Sequence, residues 1–454
     1  MSDYATFLES RTKIDTQDGF EPNWMPDFLF DFQRSMTDYA IRNGRSALFE
    51  DCGLGKTAQQ LVWAENVVRH TNKPVLITTP LAVGAQTLKE AEKFSIDAER
   101  SRDGSMSGQS RIVITNYEQL HKFDSSDFSG MVCDESSAIK NFKGERRRIV
   151  TEFYRLMKYR LLCTATAAPN DFWELGTSSE ALGYLGFRDM LTTFFKQEMS
   201  SEFRGWGRVK YRFRGHAEHP FWRWVCSWSR AIRQPSDIGG DDSGFILPPL
   251  TQKEIVVETK KARSGRLFAT PATNLQEQRE ERRNSITERC DMVTEKAVNH
   301  DGPSIIWCEL NDEGKRLSKV VPESVEIHGG MSDDKKEELL TAFSDGEIKR
   351  LITKPKIGCW GLNWQHCSNV ICLPSHSFEQ HYQSVRRCWR FGQKKPVSVH
   401  LIVNEGEEGV LKNLNRKSDQ AERMFKSLVQ HMNNELTVNH KDDFRQKEEI
   451  PQWL

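Results

Sequence analysis

Short apolar runs recur through the first part of the chain: Ser46-Ala-Leu-Phe, Pro74-Val-Leu-Ile-Thr-Thr, Arg111-Ile-Val-Ile-Thr, Met131-Val-Cys and Arg160-Leu-Leu-Cys-Thr. Amphipathic stretches with helical spacing separate them. This alternation predicts strands buried on both faces, in the β-α-β rhythm of a parallel sheet covered by helices. A second series starts near Pro303, with Ser304-Ile-Ile-Trp-Cys, Ser324-Val-Glu-Ile-His, Arg350-Leu-Ile-Thr, Asn369-Val-Ile-Cys-Leu and Val397-Ser-Val-His-Leu-Ile-Val. Two α/β domains are therefore expected, at 28–180 and 301–410. Residues 1–27 form an N-terminal segment, 181–250 an aromatic and basic helical insertion, and 251–300 a connector whose stretch from Leu275 to His300 is charged and helical. The tail, 411–454, reads as terminal helices that pack loosely.

Composition narrows the class. With 454 residues, 37% hydrophobic and 28% charged, the chain can build two or three real cores and does not resemble a disordered one. No run approaches the roughly 20 consecutive apolar residues that span a bilayer, and no basic segment followed by an apolar one opens the chain, so a cytoplasmic protein with no membrane partner is expected. The 10 cysteines include no C-x-x-C pair, so zinc is not expected, and most sit in apolar runs where a reduced thiol acts as a small hydrophobe. The 64 basic and 64 acidic side chains cancel, but local clustering decides whether a polyanion can bind. Between Phe203 and Arg233 eight basic residues, among them Arg208, Lys210, Arg212 and Arg214, face one acid, Glu218, and Trp206 is interleaved with them. Such a segment can stack bases and neutralise phosphates. It can equally be a small packed helical insertion with its arginines in water. We expect its first half on DNA and its second half buried.

Chemistry concentrates at three places. Gly53-Leu54-Gly55-Lys56-Thr57 follows an apolar strand and opens a helix, so backbone N–H groups, the Lys56 ammonium and the Thr57 hydroxyl are set for phosphate and Mg²⁺. Glu50 stands where the strict phosphate-loop pattern has its first glycine. Asp134-Glu135 closes another apolar run, where Asp134 can hold Mg²⁺ and Glu135 can polarise an attacking water. Arg387 and Arg390, three apart and expected on one helical face, can neutralise charge developing on a γ-phosphate.

The order of these pieces resembles the Swi/Snf-type ATPases of helicase superfamily 2, particularly short bacteriophage-encoded forms. Asp31-Phe-Gln33 resembles the adenine-reading Q motif, and Asp51-Cys-Gly-Leu-Gly-Lys-Thr57 resembles motif I, which in that family also usually lacks the first glycine. Thr78-Thr-Pro-Leu81 and Ile114-Thr-Asn-Tyr-Glu118 resemble nucleic-acid-facing motifs and imply contacts by Thr79 and Tyr117. Asp134-Glu-Ser-Ser-Ala-Ile-Lys-Asn141 is similar to motif II, with Ser136-Ser137 in place of Ala-His. Cys163-Thr-Ala-Thr-Ala-Ala-Pro-Asn170 resembles motif III, implying that Thr164 and Thr166 couple hydrolysis to movement. Lys356-Ile-Gly-Cys-Trp-Gly-Leu-Asn363 resembles motif V, placing Gly361 at the nucleotide. Gln383 to Gln393 resembles motif VI, adding Gln383 as a coupling residue, with Arg386 where the family commonly has an acid.

The resemblance, over about residues 28–403, implies two RecA-like domains closing on MgATP. The expected catalytic residues are Lys56, Glu135, Arg387 and Arg390; Gln33, Gly53, Gly55, Lys56, Thr57 and Gly361 bind nucleotide, while Thr57 and Asp134 hold Mg²⁺. It further implies an ATP-dependent DNA helicase or translocase on double-stranded or branched DNA, with phage or host replication and recombination proteins as candidate partners. The rival readings are a non-motor DNA-binding or recruitment factor that ATP only locks, and a P-loop kinase or transporter ATPase, which would lack the paired arginines.

Overall fold

The computed structural model describes residues 18–81, 83–168, 171–198, 210–258, 275–358, 361–375 and 377–441. Strands β1 (Arg45–Glu50), β2 (Val75–Thr79), β4 (Ile112–Asn116), β5 (Gly130–Asp134) and β6 (Tyr159–Thr164) follow the predicted apolar runs, whereas β3 (Ala98–Arg100), half-buried and not apolar, lies on none of them. β7 (Phe195–Glu198) and β8 (Lys210–Phe213) make an antiparallel pair outside the main sheet. With β9 (Ser229–Ile232), the first six strands form one sheet in the order β3-β4-β2-β5-β6-β1-β9, every pairing parallel. β2, β4, β5 and β6 are buried at every position, as near-continuous apolar strands in a doubly covered sheet must be.

The second sheet runs β10-β15-β14-β11-β13-β12, again all parallel, from β10 (Leu250–Val257), β11 (Ser304–Trp307), β12 (Ser324–Ile327), β13 (Arg350–Thr353), β14 (Asn369–Cys372) and β15 (Val397–Asn404). The fold is thus α/β, two parallel sheets flanked by helices. We call the sheets with their helices the first and second lobes.

The middle of the chain is less separate than its composition suggests. β9 pairs with β1, so the end of the insertion completes the first sheet. The connector opens with the eight-residue strand β10, which no reading of the sequence foresaw, paired along its whole length with β15, and from Leu275 it is helical as expected, in Leu275–Asn284 and Ile286–Val298. β10 is an edge strand whose charged Lys253 and Glu254 are exposed, so it lacks the apolar run that betrays a central strand. The helix Glu218–Trp228 buries Phe221, Trp222, Trp224 and Trp228 completely, in one cluster with Phe194 and Phe195. The second half of the insertion is therefore core. Trp206 and Arg208 lie outside the described residues, as does the side chain of Lys210, while Arg212 and Arg214 are exposed.

The tail corrects a second expectation. Glu408–Lys441 is one helix of 34 residues. Val410 and Leu414 pack with Phe378 of the second lobe, whereas Met424, Phe425 and Leu428 enter the core of the first. Its apolar positions recur at three- and four-residue steps, and both lobes supply partners for that stripe.

Candidate nucleotide site between the lobes

β5, β6 and β1 are neighbours, with Asp134 opposite Cys163 and Thr164 opposite Phe49. Parallel pairing therefore delivers the carboxyl ends of three strands to one edge, where ligands of open α/β sheets bind. The loop after β1 turns through Gly53 and Gly55, at φ +94° and +80°, where a side chain would be strained. A Cβ at Gly55 would stand 2.2 Å from Gln33 Nε2. The helix Lys56–Thr71 then begins without a side-chain cap, leaving its first N–H groups for a ligand. Lys56 Nζ donates to the Glu50 and Asp51 carbonyls at 2.8 and 3.1 Å.

Gln33 braces this loop. Its Nε2 donates to the Leu54 carbonyl at 2.8 Å and its Oε1 accepts from Phe30 N at 3.0 Å. Both ends of the amide are thereby committed to the backbone. Asp134 and Glu135 are both buried at the tip of β5. Gln60 Nε2 donates to Asp134 Oδ1 at 2.8 Å, yet burial, followed by the Glu135 charge, pushes the Asp134 carboxyl up to about 6. Glu135 occupies the left-handed region at φ 54°, a conformation that costs a non-glycine residue and that packing must enforce. Thr164 Oγ1 donates to Glu135 Oε2 at 3.2 Å, and Thr166 Oγ1 donates across the lobes to Glu379 Oε1 at 3.4 Å. Lys140 is ion-paired with the same Glu379.

The second lobe meets the loop directly. A Cβ at Gly53 would lie 2.8 Å from Phe391 N and 3.5 Å from Arg390 Cβ. The helix Phe378–Arg386 stops before the two arginines, so they do not share a helical face. The Arg387 carbonyl accepts from Trp364 N at 2.9 Å instead of continuing the helix, and Arg387 and Arg390 follow in a turn. Their Nη1 atoms converge on the Leu362 carbonyl, at 3.2 and 3.1 Å. Arg387 Nη2 donates to Gln383 Oε1 at 2.7 Å. Burial and then the Arg387 charge push the Arg390 guanidinium down to about 10. Two crowded cations held by neutral oxygens, above a glycine loop, form an environment that an anion would stabilise.

Other expected residues sit elsewhere. Thr79 is fully buried, its hydroxyl donating to the Pro80 and Thr115 carbonyls at 3.1 and 3.4 Å, so it faces protein rather than a ligand. Tyr117 donates its hydroxyl to the Asp134 carbonyl at 2.6 Å, tying the following segment to the acidic pair. Gly361, at φ +72°, presses on Val83 of the first lobe, whose Cγ2 would be 1.9 Å from a Cβ there. Sequence reasoning missed Gln60, Glu379 and Glu90. Burial raises the Glu90 carboxyl above its usual range, with Gln86, Arg390, Lys93 and Thr57 pulling it back. Only Gln60, four residues after Lys56, carried a signal by position.

A cavity of 520 Å³ opens between the lobes, lined by Tyr117, Lys140, Arg146, Lys336 and Lys356 among others. Three of its cations are paired: Lys140 with Glu379, Arg146 with Glu118 and Lys336 with Asp333. The nine cysteines among the described residues are buried and free, and no group of three or more metal-ligating side chains occurs among those residues. No described helix is long and apolar enough to cross a membrane.

Comparison with known proteins adds to this geometry. A protein of Invertebrate iridescent virus 6 named "Putative helicase 172L" is 28% identical over 134 residues, 27% of this chain and 22% of the viral protein, so the match spans about a fifth of that relative. Among solved structures, the Sulfolobus solfataricus SWI2/SNF2 ATPase core in complex with dsDNA aligns at 17% identity and a TM-score of 0.42, covering 90% of this chain and 95% of that one. Residues 286–392, from the helix before β11 to the end of the arginine turn, match the family described as "Helicase conserved C-terminal domain", so that the similarity of this chain to known proteins is of the helicase type.

Proposed function

We propose that the chain is a DNA-stimulated ATPase that moves along, or remodels, double-stranded or branched DNA. The observation that carries this reading is the seating of the Arg387–Arg390 turn of the second lobe on Gly53 of the first. Neither lobe alone holds both halves of that site.

Lys56 and the uncapped helix N-terminus would bind the β- and γ-phosphates. The oxygens of Thr57 and Asp134 would hold Mg²⁺, which when bound would neutralise phosphate charge. Glu135, held by Thr164, would orient the attacking water. Arg387 and Arg390 stabilise negative charge on the oxygens of the group being transferred, a contribution known to reach about 10³–10⁵ in rate. Hydrolysis would be relayed to the DNA side through Thr164 and Thr166 to the Lys140–Glu379 pair, whose two residues line the interlobe cavity. Since Lys140, Arg146 and Lys336 are already paired, a phosphate backbone would have to displace carboxylates to bind them, giving a salt-dependent cost.

Lys56→Ala is expected to abolish DNA-stimulated ATP turnover. Arg390→Ala is expected to lower kcat by about 10³-fold with nucleotide affinity nearly intact, as for a group acting in the transition state. Steady-state ATPase assays with single-stranded, duplex and forked DNA check both, and unchanged turnover in Lys56→Ala removes the assignment. Movement of the wild-type protein on single DNA molecules separates a motor from a factor that ATP only locks.

A further inference from the structure

Arg386 lies directly beside Arg387 and close to Arg390, the two phosphate-directed arginines, and the reading above leaves it without a role. Its side chain is 6% exposed and reaches into the first lobe. Nη2 lies 2.6 Å from Asp51 Oδ2 and donates to the Cys52 carbonyl at 3.0 Å. The other Asp51 oxygen accepts from Cys52 N at 2.6 Å and from the Tyr382 hydroxyl. The guanidinium also lies over the Trp389 ring, 4.9 Å from its centre. One carboxylate at the start of the phosphate loop is therefore gripped by two side chains of the helix Phe378–Arg386, whose next residue is Arg387.

We propose that Arg386 is a positioning residue, which by holding Asp51 and the Cys52 carbonyl sets the Arg387–Arg390 turn on the phosphate loop before nucleotide arrives. This rests on the ATPase reading and deepens it. The contact is narrow: the Phe391 backbone already lies 2.8 Å from where a Gly53 Cβ would be. Besides this grip the helix end meets the loop through the longer contacts of Gln383 and Arg387 with Cys52 Sγ, at 3.7 and 3.9 Å, and a misplacement of about 1 Å can cost roughly 100-fold in rate. Burial of Arg386 makes the pair specific as well, because removing Asp51 strands the guanidinium charge away from water.

The test uses the full chain carrying Arg386→Ala, Arg386→Lys, Asp51→Asn and the double variant Arg386→Ala/Asp51→Asn. ATPase kinetics with duplex DNA are measured beside the fluorescence-transfer distance between probes at exposed Asp127 and Lys319, one on each lobe. Arg386→Ala is expected to lower kcat about 10- to 100-fold with KM for ATP changed less than about threefold, and to lengthen the nucleotide-free distance. The double variant should be no worse than the worse single, since the two residues act as one unit. Arg386→Lys, which keeps the charge, should restore the distance and most of the rate. Wild-type kcat in Arg386→Ala, or full additivity in the double variant, overturns the proposal. A wild-type chain that hydrolyses no ATP overturns the functional reading, and is recognised because the distance still responds to Arg386→Ala.

Discussion

Glu50 is completely buried beneath the phosphate loop, at the position the strict motif gives to glycine. Gln59 Nε2 donates to its Oε2 at 2.7 Å, and its Oε1 has no hydrogen-bond partner among the described residues. Burial drives the carboxyl from 4.5 up to about 7, with Lys56 and Gln59 pulling the other way. Between those two pH values the folded protein keeps a proton that the unfolded chain has released. This contribution to stability is therefore full below pH 4.5 and is lost as pH rises to 7. Removing the titration with Glu50→Gln should stabilise the protein at pH 8 by up to about 3 kcal/mol, and by almost nothing at pH 4. Urea unfolding at the two pH values checks this; a difference independent of pH would mean the acid is not buried as described. In the sequence Glu50 was visible only as a missing glycine, because nothing local shows that Gln59 and the sheet close over it. Lys56, Thr57, Asp134 and Glu135 were legible, since each lies at a strand end beside a glycine turn or in an acidic pair.

The C-terminal helix and the arginine turn show where local pattern stops being enough. The apolar stripe of Glu408–Lys441 was present in the sequence, but a stripe does not say which surface covers it. Phe425 enters the first-lobe core with Arg233 over its ring at 5.2 Å, while Leu414 packs on the second lobe. Phe425→Ala should therefore cost about 3 kcal/mol of unfolding free energy, as for a buried core phenylalanine, whereas a loosely packed tail would lose less than about 0.5. Denaturant titration distinguishes the two. Likewise the three-residue spacing of Arg387 and Arg390 suggested one helical face. The helix ends because Trp364, a residue distant in sequence, takes the Arg387 carbonyl, and it is the turn that aims both guanidinium groups at one oxygen.

At the scale of the molecule, the lobes are joined by paired charges as well as by the site. Glu337 of the second lobe is bound by Arg100 at 2.6 Å and by Arg102, Lys140 pairs with Glu379, and Asp51 with Arg386. Glu337→Lys would set a cation against two arginines, and is expected to open the lobes and enlarge the radius of gyration measured by small-angle scattering in low salt. The effect should shrink as salt screens the repulsion at these partly exposed side chains. An unchanged radius would show that the pairs follow closure rather than support it.

What the sequence determined by itself was local: which runs are strands, that they alternate with helices in two series, and which glycine, lysine and carboxylate residues sit at strand ends. Those follow from periodicity and backbone sterics acting over a few neighbouring residues. Only the tertiary structure decided that β9 and β10 complete the sheets and that Thr79 faces inward. It also decided that Arg386 meets Asp51. Each of these depends on partners far along the chain, and the free energy of such contacts lies in burial and charge pairing that no short window of residues contains.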